Sequence, residues 1–175
     1  MASIIKADLW QNTQGIQYNS VIQVQTSLVN ERSAWSSPVN SETIITPLSI
    51  AITPRYVGSK IVVQWMVNGE LHQDNVFRIY RNGIQAPNGR NTTDSGRWSG
   101  YASAFYDQNE SSTPSNWSIL YFDTPNTLTQ QTYSLAVGGS GATAYTFYLN
   151  RTVGTAGSDN QEVMVSSVIA WEVVQ

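Results

Sequence analysis

Along this chain apolar and polar positions alternate in short runs, and Gly, Pro, Asn and Ser bound those runs. No segment keeps an apolar period of 3.6 residues for three turns, so the pattern predicts strands and not helices. Strands are expected over residues 20–28, 42–53, 60–67, 75–81, 101–106, 117–123, 130–137, 145–149 and 161–174. About nine strands suit an all-β antiparallel β-sandwich of jelly-roll type. Asn68-Gly69, Asn82-Gly83 and Asn88-Gly89 are expected turns, because Asn and Gly accept the positive φ that tight hairpins demand. Residues 85–100 and 107–115 are polar and rich in Gly, Asn and Ser, and read as exposed loops at one end of the sandwich.

Two segments carry more apolar surface than a half-exposed strand needs. In 60–67, Ile61, Val63, Trp65 and Val67 oppose Val62, Gln64 and Met66, so both faces are expected to be at least partly covered. The last strand carries Val163, Val165, Ile169, Trp171 and Val173 on one face, and Met164, Val168, Ala170 and Val174 on the other. One face of such a strand meets the core and the other requires a second cover. Met164, Val168, Ala170 and Val174 are assigned to a subunit interface; cover by a loop of the same chain is the competing account.

Residues 1–19 form a separate unit, an arm ahead of a sandwich domain spanning 20–175. Ile4, Ile5, Ala7, Leu9 and Trp10 precede a polar link at 11–15. Burying so few side chains gains less than ordering the arm costs, so it is expected to order only on a neighbouring chain or another protein. An ordinary edge strand of this domain is the alternative.

Composition narrows the function. The chain has 175 residues, of which 41% are hydrophobic and only 12% charged, about half the usual charged share. Ser, Thr, Asn and Gln must therefore cover much of the surface. The net charge is −3 and the basic residues are scattered, which argues against nucleic acid as a partner. With no cysteine there is neither disulfide nor thiolate chemistry. Residues 1–9 hold no apolar run of signal-peptide length, and no stretch reaches the ~20 residues that span a bilayer. The expectation is a protein made in a cytoplasm, with no membrane insertion.

Catalytic signatures are missing. His72 is the only histidine and reads as a solvated turn residue. No nucleophile elbow, zinc-protease helix or nucleotide fingerprint occurs, and Gly138-Gly139-Ser140-Gly141 reads as a turn. Asp94, Asp107, Glu110 and Asp123 fall near the loop end but share no motif of paired carboxylates. No enzyme activity, cofactor or metal is expected. The aromatics are the remaining candidates: Trp98, Tyr101, Tyr106 and Trp117 flank the polar loops, where rigid rings beside polar groups make sugar or protein contacts. Core packing is the competing account.

The order of several segments resembles that of virion proteins of tailed phages, notably those infecting cyanobacteria. Those segments are Ile4-Ile5-Lys6-Ala7-Asp8-Leu9, Val21-Ile22-Gln23-Val24-Gln25, Ser49-Ile50-Ala51-Ile52-Thr53-Pro54 with Ser59-Lys60-Ile61-Val62-Val63, Phe77-Arg78-Ile79-Tyr80-Arg81-Asn82-Gly83, Asp123-Thr124-Pro125 and Ser167-Val168-Ile169-Ala170-Trp171-Glu172-Val173. The resemblance implies a β-sandwich head like the trimeric heads of the tumour necrosis factor and C1q type, found as capsid decorations or at the distal ends of tail fibres and tailspikes. It implies no catalytic residues. A fibre needs an attachment domain and a shaft, which residues 1–19 are too few to supply. The expectation is therefore a cement or decoration protein on the outer capsid surface. It would be a homotrimer whose partner is the major capsid protein, held through Ile4, Ile5, Leu9 and Trp10. Trp98, Tyr101, Tyr106 and Trp117 would be available to a host-surface glycan or protein. The alternatives are a receptor-binding fibre tip and a carbohydrate-binding lectin unrelated to virions.

Overall fold

The computed structural model describes residues 20–92, 98–105, 113–140, 142–154 and 162–174. Two antiparallel sheets face each other across one hydrophobic core. The first joins β1 (Ser20–Val29), β12 (Ser166–Val174), β5 (Lys60–Glu70) and β9 (Ser115–Asp123) side by side; beyond β12, β11 (Tyr145–Leu149) pairs the end of β5 and carries β2 (Ser33–Ser37). The second is centred on β10 (Gln131–Gly139), with β3 (Thr43–Ile44) and β4 (Ile50–Ile52) on one edge and β6 (Asn75–Arg81) on the other. β7 (Ile84–Gln85) and β8 (Ala102–Ser103) complete it beyond β6. The described residues thus hold twelve strands where nine were expected.

The differences have local causes. The single strand expected over 42–53 is broken at Thr46–Leu48 by a short 3-10 turn, because Pro47 has no N–H for the ladder. Asn68-Gly69 is not a turn: β5 runs through it to Glu70, with Gly69 opposite Ser115 on one side and Leu149 on the other. Gly69 is needed for close approach, since a β carbon there would strike the Tyr148 carbonyl oxygen and the Phe147 ring. The reversal comes later, where Asp74 takes φ 66°. Gly138 and Gly139 likewise belong to β10. Asn82-Gly83 does make the expected hairpin, with φ of 53° and 77°, and Asn88 (φ 54°) turns the chain ahead of Gly89.

The core is what alternation in the long strands provides. Ile61, Val63, Trp65 and Val67 are fully buried and meet Phe77, Ile79, Tyr133, Leu135 and Val137 of the opposite sheet. Trp65 keeps its indole N–H satisfied by donating to the Leu48 carbonyl at 2.8 Å. Among the described residues no helix is long and apolar enough to cross a membrane.

Candidate functional site

Cross-strand register places the outward side chains of the first sheet in rows, because directly paired residues leave an antiparallel ladder on the same face. One row runs Val24, Trp171, Val62, Phe122, and the next runs Thr26, Ile169, Gln64, Leu120. A third runs Leu28, Ser167, Met66, Ser118. Val24, Leu28, Met66, Leu120 and Phe122 are exposed, at 48%, 68%, 36%, 42% and 54% of their full area. Trp171, Ile169, Val62 and Val173 are half-buried beside them. Four adjacent strands therefore present a continuous apolar face with Gln64 near its middle. A face of this kind marks an interaction site, whereas isolated exposed apolar residues do not.

The interface assignment made on the sequence is corrected here. Val168 and Ala170 have no accessible surface, because they share rungs with the core residues Trp65 and Val63. Their own chain covers them. Met164 and Val174, at the two ends of that set, are half-buried. The side of β12 that faces outward is the one carrying Ile169, Trp171 and Val173.

Of the loop-end aromatics, Trp117 is likewise corrected: it is 5% exposed, donates its indole N–H to the Ser103 carbonyl at 3.1 Å, and meets Phe77 edge to face at 5.2 Å. It is a core residue. Trp98 is half-buried under the Arg78 guanidinium, 3.9 Å from its ring centre, and Arg78 in turn pairs with Glu42. Tyr101 is 37% exposed, with its hydroxyl donating to the Leu120 carbonyl. Burial raises the Tyr101 pKa. The structure thus separates Trp98 and Tyr101, at the surface, from Trp117, inside. Tyr106 lies outside the described residues, as do Ile4, Ile5, Leu9 and Trp10 of the arm.

Two polar centres escaped the sequence reading. Asn150, with φ 58° and no accessible surface, donates to the Val29 and Glu31 carbonyls at 2.7 and 2.8 Å and accepts from the Ser166 hydroxyl at 2.6 Å. It ties the end of β1 to the start of β12. Glu172 is buried, pairs with no cation among the described residues, and accepts from the Arg55 and Tyr56 amides and the Ser59 hydroxyl, at 2.7, 3.1 and 2.7 Å. An Asn among many and a Glu in an apolar strand carry no sequence signal of these roles. His72, expected in solvent, instead stacks on Tyr145 with ring centres 3.7 Å apart.

Among the described residues no three His, Cys, Asp or Glu side chains converge in a way that could hold a metal ion. No family model matches the chain, and no curated protein matches it.

Proposed function

We propose that this protein is a phage virion component, a capsid cement or decoration protein that assembles as a homotrimer through the outward face of its first sheet. The observation that carries the assembly reading is the continuous apolar face built from Val24, Val62, Leu120, Phe122, Ile169 and Trp171. Water contact with so many adjacent apolar side chains is unfavourable by roughly 25 cal/mol per Å2, and packing against neighbouring copies around a three-fold axis removes it. A jelly-roll reading is supported by the strand order: the first and last long strands pair, and β1-β12-β5-β9 faces a sheet ordered β3/β4-β10-β6-β8.

The virion role rests on the segment resemblance and on the arm. In this reading Ile4, Ile5, Leu9 and Trp10 hold the major capsid protein, three arms on one trimer giving retention that one arm lacks. Trp98 and Tyr101 remain the surface aromatics available to a host glycan or protein. The test is the solution mass of the purified protein by sedimentation equilibrium, combined with cosedimentation with empty phage heads. A trimer that binds heads is expected. A trimer that ignores heads shifts the reading to a fibre tip, and a monomer overturns it.

A further inference from the structure

We propose that the cleft at the far end of the first sheet is a binding subsite for a neutral saccharide ring. The cleft holds about 410 Å3 and is lined by Glu70, His72, Tyr145, Thr146, Tyr148 and Val153. That volume is in the range of small-ligand sites. Glu70 and Tyr148 are ladder partners and leave the sheet on one face. Glu70 continues the outward row Val62, Gln64, Met66, Asn68. It lies six residues beyond Gln64, about 20 Å along the strand, so the subsite is set apart from the centre of the assembly face and does not depend on it.

Two acceptors, on Glu70 and His72, stand beside the hydroxyls of Tyr145, Thr146 and Tyr148 in the lining. Glu70 is 3% exposed, and its two oxygens accept from the Thr113 hydroxyl and the Val153 amide, each at 2.7 Å. Both donors are neutral, and among the described residues each oxygen takes one hydrogen bond, so the carboxylate is held in place with acceptor capacity to spare. The His72 Nδ1 lies 2.8 Å from the Gln73 carbonyl oxygen. A carbonyl can only accept, so Nδ1 carries the proton and Nε2 of the neutral ring is left as an acceptor. Such a set calls for a ligand that brings hydroxyl donors.

The walls supply the other half of sugar recognition. His72 and Tyr145 line the cleft as a stacked pair within 6° of parallel, and an exposed face of such a pair is the kind of surface that takes the C–H face of a pyranose. The Arg151 guanidinium sits over the Tyr148 ring at 4.5 Å, at the margin of the cleft. A carboxylate disfavours acidic sugars, and a nearby guanidinium disfavours ammonium ligands. The remaining fit is a neutral ring with adjacent hydroxyls.

The experiment is titration of the full chain with the methyl glycosides of glucose, galactose and mannose, followed by NMR, with choline and glucuronate as charged probes. At least one neutral glycoside is expected to bind with Kd about 1–10 mM, the strength of a small polar ligand. Tyr145→Ala and Glu70→Gln should each weaken it about tenfold or more, while Ile84→Ala, on the opposite sheet, leaves it unchanged. Glu70→Gln keeps an oxygen for the Val153 amide and a donor for the Thr113 hydroxyl, so it tests the site even if Tyr145→Ala does not fold. No binding of any neutral glycoside by about 50 mM, binding of choline or glucuronate alone, or binding untouched by Glu70→Gln overturns the proposal.

Discussion

The buried carboxylate of Glu172, near the end of β12, accepts a hydrogen bond from the backbone N–H of Arg55 at 2.7 Å. The same carboxylate takes the Tyr56 amide and the Ser59 hydroxyl, and so holds the whole connection between β4 and β5. Glu172→Ala leaves these donors unpaired and is expected to lower stability by about 3 kcal/mol or more. Glu172→Gln retains one oxygen and should cost roughly half as much. Denaturant unfolding measures both, and a loss below about 1 kcal/mol for the alanine variant would show that water replaces the carboxylate.

Phe122 is 54% exposed and shares a row with Val62 and Trp171. Phe122→Glu adds a charge to the apolar face without touching the core. The variant should remain folded by circular dichroism, with stability of the isolated chain changed by less than about 0.5 kcal/mol, but sediment as a monomer. An unchanged assembly would remove this face from the interface.

Gly69 sits within β5 against the Tyr148 carbonyl and the Phe147 ring. Gly69→Ala must displace backbone, and is expected to cost about 2–3 kcal/mol. A surface turn would tolerate the same change, so thermal unfolding of this one variant distinguishes a strand glycine from a hairpin glycine.

Burial raises the phenol pKa values of Tyr121 and Tyr133 well above the usual tyrosine range, and Asp123, which accepts from the Tyr133 hydroxyl at 2.8 Å, pushes both the same way. The native state therefore keeps protons that the unfolded chain releases from about pH 10 upward. Stability from these groups is complete below about pH 10 and falls above it, by about 1.4 kcal/mol per pH unit for each phenol. Denaturant midpoints between about pH 9 and pH 12 should fall, and Tyr133→Phe should flatten the slope although it is less stable at neutral pH. Equal slopes for both proteins would show that Tyr133 ionises without unfolding.

Much of the fold could be read from alternation alone. The inward set of β5, the positions of β1, β6, β9, β10 and β11, and the Asn82-Gly83 hairpin all follow from period-two patterning and turn chemistry. The short strands β2 and β7 are not signalled, and β3 and β4 merge into one expected strand, because two to five residues hold too few alternations to register; β8 lies within the strand expected over 101–106 but is shorter.

What the chain by itself determined is that β5 and β12 have two apolar faces. Which face meets the core was decided by register: Val168 and Ala170 lie opposite Trp65 and Val63, and that pairing spans about a hundred residues of sequence that no local pattern encodes. Only the same long-range pairing turns separate residues such as Val24, Trp171 and Phe122 into one surface, and brings Glu70, His72 and Tyr145 to one cleft. Alternation sorts side chains between two sides of a strand; the partner strands and the opposite sheet choose the side that water does not reach.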